Sequence, residues 1–157
     1  MEKRLVHEPK LQICDAEFLC WLHDRFYQRL PRVLRALEDP ETGDRDEVLP
    51  GQLRQQDVRV GRHIPPRYIV LDRFLKRFAQ VYAPERHRGH GKLIAAVASH
   101  HRLAWIHPFL DRNGRVTRLF TDTYFHAVGL KGYGLWSGST PYGLPGPSRT
   151  SGCAAEK

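Results

Sequence analysis

His107-Pro108-Phe109-Leu110-Asp111-Arg112-Asn113-Gly114-Arg115-Val116-Thr117-Arg118 joins two helical patterns, and the chain is organised around it. Upstream, Leu93, Ile94, Val97, His101, Ala104 and Trp105 mark a helix that is apolar on much of its circumference, which predicts a central, buried position. Pro108 stops it. Downstream, Val116, Leu119, Phe120, Thr123, Tyr124, Ala127 and Val128 recur at steps of three and four until Gly129. The quoted stretch is therefore the exit loop of one helix and the first turn of the next.

That position has chemical consequences. A helix N-terminus carries amides without intrahelical partners and about half a positive charge, so it attracts phosphate. Asn113 and Gly114 tolerate left-handed backbone and can turn successive amides toward one anion. Arg115 and Arg118, one turn apart, add two guanidinium forks, and the set suits a di- or triphosphate better than a single phosphate. Asp111 has two readings: a cap or an arginine partner, or the lone carboxylate by which Mg²⁺ is held beside phosphates. A neutral His107 on the other side of the loop could take a proton from an attacking hydroxyl, although a lone His before Pro more often has a structural role.

Outward from this core, the N-terminal residues 1–14 are polar and unpatterned. From Asp15, a candidate N-cap, Phe18, Leu19, Leu22 and Phe26 follow one helix face. Pro31 ends it, and a short second helix is expected through Val33, Leu34 and Leu37. His23-Asp24 is reminiscent of a metal-binding pair but lacks partner ligands, so a solvated helix face is expected there. Residues 38–52 form an acidic, turn-rich loop ending at Pro50-Gly51. Asp57-Val58-Arg59-Val60 alternates polar and apolar residues between that loop and Gly61, which predicts a short exposed hairpin. After Pro65-Pro66, Val70, Leu71, Phe74, Leu75, Phe78, Val81 and Tyr82 form a further helical stripe closed by Pro84. Residues 137–157, rich in Gly, Pro, Ser and Thr, are expected to be a disordered tail behind a domain spanning residues 1–136.

A chain of 157 residues is one domain in size. Its three cysteines are an odd number without metal-ligand spacing, and no secretory leader is evident, so a cytoplasmic setting is expected. No apolar run approaches the roughly 18 residues of a membrane span. Net charge is +8, which suits an anionic partner. The arginines are dispersed, however, so charge alone makes nucleic acid a poorly supported partner.

The central stretch resembles the signature of the Fic family, H-x-F-x-[D/E]-G-N-G-R-x-x-R, at His107, Phe109, Asp111, Asn113, Gly114, Arg115 and Arg118. Its flanks are similar too: Leu93-Ile94-Ala95-Ala96 and residues 100–106 before it, Gly134-Leu135-Trp136-Ser137 after it. Pro50-Gly51-Gln52-Leu53-Arg54, Val58-Arg59-Val60 and Pro65-Pro66 resemble the family's flap region.

The resemblance implies an all-α, Fic-like helical bundle with a short β-hairpin flap, and transfer of AMP from ATP to a Ser, Thr or Tyr hydroxyl of a target protein. His107 would be the general base, and Phe109 would anchor the loop in the core. Asp111 would hold Mg²⁺. The Asn113 side chain and nearby amides would bind the α-phosphate, Arg115 and Arg118 the β- and γ-phosphates, with Arg112 and Gly114 at the same nucleotide. The flap, about Leu53 to His63 and including Arg54, Val58, Arg59 and Val60, would pair with an extended target segment.

Three departures from the family pattern carry expectations of their own. Arg112 stands where the family usually has Gly, at a cost of about 1–2 kcal/mol if the position needs positive φ. The inhibitory pattern [S/T]-x-x-x-E-[G/N] is not found, so an antitoxin-like partner supplying a glutamate to Arg118, a missing N-terminal portion, or absence of restraint are the options. Similar proteins continue with further helices where this chain turns Gly/Pro/Ser-rich; truncation or a reading-frame change fits this, and either would favour poor stability, a homo-oligomer or aggregation. Alternatives to AMP transfer are an inactive Fic fold that binds nucleotide or a partner, a Doc-like kinase, and a basic nucleic-acid-binding domain.

Overall fold

The computed structural model describes residues 12–31, 36–38 and 45–130, the segments 36–38 and 45–47 by their backbone alone. The polar N-terminal stretch up to residue 11, the positions of Val33 and Leu34, the Gly134–Ser137 flank and the 137–157 tail lie outside the described residues.

Four α-helices form the body: α1 (Ala16–Gln28), α2 (Leu71–Tyr82), α3 (Gly91–Ile106) and α4 (Asn113–Ala127). The expected all-α character holds for the described residues. Each helix begins and ends where local chemistry requires. Asp15 takes extended backbone as the N-cap of α1 (φ −76°, ψ 152°) without a side-chain capping bond. A 3₁₀ turn, Tyr68–Val70, leads from the double proline into α2, and Pro84 opens another just beyond it. α3 and α4 are joined by residues 107–112 and pack against each other; α4 also packs on α1, and α2 on α3 and α1. Short connections of this kind make consecutive helices neighbours.

The core is the meeting of four stripes: Phe18, Leu19 and Leu22 from α1; Leu71, Leu75 and Phe78 from α2; Ala95, Ala96, Leu103 and Ile106 from α3; Val116, Phe120 and Tyr124 from α4. At the end of α2, polar groups brought inside find partners. The Tyr82 carbonyl at the end of α2 accepts from the Tyr124 hydroxyl (2.7 Å) and the Cys14 thiol (3.3 Å), which satisfies a helix-end acceptor that would otherwise be costly to bury.

α3 departs from the expectation of a central helix. One face is buried through Ala95, Ala96, Ser99, Leu103 and Ile106, but Leu93, Ile94, Val97 and Trp105 are exposed, Ile94 by 69%. Apolar composition all round the helix therefore overstated its burial. The alanines and serine on the inner face let α3 approach its neighbours closely, while the larger side chains point out.

Strand structure also lies elsewhere than expected. Ala36–Glu38 (β1) pairs antiparallel with Arg45–Glu47 (β2), Leu37 opposite Asp46. The expected second helix thus does not extend through Leu37, and the expected 38–52 loop contains a strand. These three-residue strands rest on backbone pairing and have too few residues for an alternating pattern to register. Conversely, the segment 57–63 forms no strand; a single antiparallel bridge joins Val60 and His63, with Gly61 left-handed (φ 58°) at the turn. Among the described residues, no helix is long and apolar enough to cross a membrane.

Candidate functional site

The motif loop begins where Pro108 forbids α3 to continue. His107 becomes the C-cap in left-handed conformation (φ 53°, ψ 61°), its amide donating to the Leu103 carbonyl (3.1 Å). Phe109 then turns into the core and is fully buried. Asn113 closes the loop: its Oδ1 accepts from the Phe109 amide (2.9 Å) and its Nδ2 donates to the Phe109 carbonyl (2.7 Å). At 3% exposure, the Asn113 side chain is a brace for the loop. Both ends of its amide are engaged with Phe109, which leaves one Nδ2–H for the α-phosphate contact expected of this side chain.

The two left-handed residues of the loop are His107 and Arg112 (φ 59°), not Asn113 and Gly114, which already belong to α4. For a residue with a Cβ this conformation costs about 1–2 kcal/mol. Arg112 thus sits where the family's glycine would be unstrained. The hydrogen-bond ladder of α4 begins with Arg115 and Val116 donating to the Arg112 carbonyl (2.9 and 3.1 Å). The amides of Asn113 and Gly114 precede that ladder, the place where helices take up anions.

Gly114 supports the same reading. A Cβ built there meets only the Arg118 Nη2, at 3.8 Å, so packing within the described protein does not require glycine. Open space beside first-turn amides suits a close-approaching phosphate. Arg115 and Arg118 are both exposed, and Arg118 Nε donates to the Gly114 carbonyl (3.1 Å).

Below the loop, α1 supplies two side chains that the pattern of Phe18, Leu19, Leu22 and Phe26 did not single out. His23, expected on a solvated face, is fully buried. Its ring stacks on Phe109 (4.2 Å between centroids, 12° between planes) and lies 4.6 Å from the ring of Tyr27. Nδ1 accepts from the Gly51 amide (2.9 Å), which puts the imidazole proton on Nε2. Burial lowers its pKa against the opposing pull of the Asp111 backbone. Gly51 is itself left-handed (φ 77°), with the Asp24 Cβ and Cys20 carbonyl 3.2 and 3.3 Å from where a Cβ would stand. Tyr27, one helical turn on, donates its hydroxyl to Asp111 Oδ2 (2.9 Å). Leu19, His23 and Tyr27 recur at i, i+4 and i+8, and that spacing was the available signal.

Asp111 Oδ2 also pairs with Arg112 Nε (2.7 Å). Arg112 therefore points toward the neighbouring carboxylate. The Asp111 side chain is one-fifth exposed (21%), and among the described residues no group of three His, Cys, Asp or Glu is placed to hold a metal. A single accessible carboxylate beside a helix N-terminus still fits Mg²⁺, which takes one or two protein carboxylates and fills its shell with phosphate oxygens and water.

His107 is half-buried. Its Nδ1 lies 3.4 Å from the Ala104 carbonyl; since a carbonyl only accepts, the contact favours a proton on Nδ1 and leaves Nε2 as the acceptor. Burial lowers its pKa most; the Ala104 carbonyl and Asp111 act to raise it, and Arg54 and His63 to lower it. The imidazole is thus held toward its neutral, proton-accepting form.

The flap residues divide. Arg59 and Val60 are exposed, Leu53 and Val58 half-buried. Arg54 is the exception: it is buried (4% exposed) and directed inward, so its guanidinium is not part of a surface presented to a target.

Comparison with known proteins places this geometry. The sequence model of the Fic/DOC family matches residues 13–125. The chain is 33% identical over 87 residues to the protein adenylyltransferase Fic of Drosophila ananassae, covering 55% of this chain and 18% of that protein. It is 34% identical over 87 residues to the protein of the same name in Drosophila mojavensis, covering 55% of this chain and 17% of the relative. The matched region is thus less than a fifth of the length of these relatives. With the family match extending over most of its length and across the whole motif loop, the chain belongs to the Fic/DOC family.

Proposed function

We propose that this chain is a protein adenylyltransferase domain, transferring AMP from ATP to a Ser, Thr or Tyr hydroxyl of a target protein. The observation that carries the reading is the juxtaposition across one short loop of a histidine held toward neutrality and a helix N-terminus with Gly114, Arg115 and Arg118 open to solvent. A base and an anion site joined by a rigid connection are what hydroxyl attack on a phosphoanhydride requires.

In this mechanism the target hydroxyl oxygen attacks the α-phosphorus in line with the α–β bridging oxygen. His107 Nε2 takes the hydroxyl proton, the new O–P bond forms, and the α–β anhydride breaks, the electron pair leaving with pyrophosphate. The first-turn amides of α4, with Arg115 and Arg118, neutralise charge on the phosphates. Mg²⁺ held by Asp111 would supply further charge neutralisation at the phosphates. The exposed Val60–His63 segment offers backbone for an extended target segment, and exposed Arg118 is where a glutamate from an antitoxin-like partner would bind.

A second reading, nucleotide binding without turnover, is favoured by one observation: Asp111 Oδ2 is already occupied by Tyr27 and Arg112. Incubation with ATP labelled at the α- or the γ-phosphate separates the readings. AMP transfer retains the α-label on protein; retention of the γ-label alone identifies a kinase; nucleotide binding with neither label retained identifies the non-catalytic fold.

A further inference from the structure

Arg54 lies in the flap segment by sequence but at the base of the motif loop in space. Its Nε donates to the His107 carbonyl (2.8 Å), its Nη1 to the Gln56 carbonyl (2.8 Å) and its Nη2 to the Pro66 carbonyl. Its own amide donates to the Pro108 carbonyl (3.0 Å). Gln56 and Pro66 bracket the loop that carries the Val60–His63 bridge, and His107 and Pro108 open the motif loop. One planar fork therefore joins both ends of the flap to the peptide units of the base.

A second tie lies at the tip. His63 exchanges both backbone hydrogen bonds with Val60 (3.0 Å each), and its Nε2 is 2.8 Å from the Trp105 carbonyl. Both ties land on carbonyls at the C-terminal end of α3, where the helix dipole favours donors and positive charge. Between them sits His107 in a left-handed conformation, a strained state that persists only where its surroundings over-determine it. The buried guanidinium is accounted for by three carbonyl acceptors and by Asp57, whose Oδ1 is 3.8 Å from Nη1.

We propose that Arg54 is a positioning residue for His107: it locks the left-handed peptide of the base and fastens it to the flap, so that a segment bound along the flap and the base that receives its proton keep one register. This rests on the reading of His107 as general base. Arg54 acts through backbone carbonyls, and a lysine, with one compact ammonium, lacks the fork that reaches all three. The same two ties place Arg54 and His63 close enough to disfavour protonation of His107, so loosening them changes how that ring titrates.

The test uses the full chain with Arg54→Lys and, separately, His63→Ala. Thermal unfolding, ATP affinity in Mg²⁺ by calorimetry, the AMP-transfer rate, and the His107 ring titration by NMR are measured for each. Both variants are expected to unfold cooperatively and to bind ATP within about twofold of the parent, since the residues of 113–118 are untouched. The transfer kcat is expected to fall, by roughly 10- to 100-fold for Arg54→Lys and severalfold for His63→Ala, with a displaced His107 titration. Loss of ATP affinity in parallel with kcat, or an unchanged His107 titration, overturns the proposal in favour of a general structural brace. Should Arg54→Lys fail to fold, His63→Ala, which cuts only the second tie, decides by the same criteria. A parent that binds ATP but transfers no AMP contradicts the reading of the base, and the ring titrations of the variants then decide the positioning claim by themselves.

Discussion

The two halves of the motif loop are built differently. From His107 to Asp111 the loop is tied from every side: Arg54 holds the His107 carbonyl, Asn113 closes on both backbone groups of Phe109, His23 stacks beneath Phe109, and Tyr27 holds Asp111. From Gly114 to Arg118 the solvent-facing residues, Gly114, Arg115 and Arg118, are open, and Gly114 borders space that no packing demands. The difference teaches a division of labour. A base at His107, as proposed, would need to be fixed to within a fraction of an ångström, and its half of the loop draws on the core for rigidity. The open half brings charge and backbone amides, and a phosphate bound there, as proposed, would complete the fit.

Changes on the fixed half should cost stability, and changes on the open half should cost affinity. The largest effect is expected from Phe109→Ala, which empties a fully buried site under the loop: a loss of about 3–5 kcal/mol in unfolding free energy, measured by denaturant titration. A loss below about 1 kcal/mol would show that the loop is not anchored through this ring. Arg118→Ala should do the converse, weakening ATP binding by calorimetry by about 1.5–3 kcal/mol while the unfolding midpoint stays put. A fall in stability equal to the fall in affinity would erase the comparison.

Arg112 is where the halves meet, and replacing it sharpens the contrast. Arg112→Gly relieves a left-handed side-chain conformation and releases Asp111 Oδ2. The rate of ATP-dependent labelling should rise; an unchanged or lower rate contradicts the view of Arg112 as an obstacle. Stability should change by no more than about 1 kcal/mol, because relief of strain offsets the lost, partly exposed ion pair.

The smallest effect is expected from acid. His23, His100 and His107 all have pKa values lowered by burial. Below the ordinary histidine pKa, near 6.5, the unfolded chain binds protons that the folded chain resists, so stability falls as pH drops through and below that value. Replacing His23 by Gln should shallow that slope in urea titrations at pH 5 and pH 7. A slope unchanged by the substitution would mean that His23 protonates as easily folded as unfolded.

The sequence made some of this legible and not the rest, for physical reasons. The α2 and α4 stripes, the stop at Pro108 and the loop-to-helix transition are local, and local patterns report them directly. The possibility of strain at Arg112 followed from the resemblance, which has Gly at that position, and the structure places Arg112 in left-handed conformation. Asn113 and Gly114 were misread because the residues that tolerate left-handed backbone are not always the ones made to adopt it; here the constraint fell on His107 and Arg112. The exposed face of α3 was hidden for a related reason, since composition counts apolar residues but not which face meets a neighbour. His23, Tyr27 and Arg54 carry the fixed half through contacts 53 to 86 residues away in sequence, and such supports become visible only when the chain has closed. The alternation at Asp57–Val60 predicted a short hairpin, yet within residues 57–63 only the Val60–His63 bridge forms, because one alternating tetrapeptide has no second strand to pair with.

The central claim is that the fixed half carries a base for AMP transfer at the phosphates held by the open half. Intact-mass measurement after incubation with ATP and Mg²⁺, alone and with candidate target proteins, comparing the parent with His107→Ala, tests it most directly. The account predicts a gain of one AMP on protein with the parent, and a rate lower by roughly 10²–10⁴-fold in the variant, the usual contribution of a positioned general base. Equal AMP incorporation by parent and variant, or none by a parent that binds ATP, would contradict it.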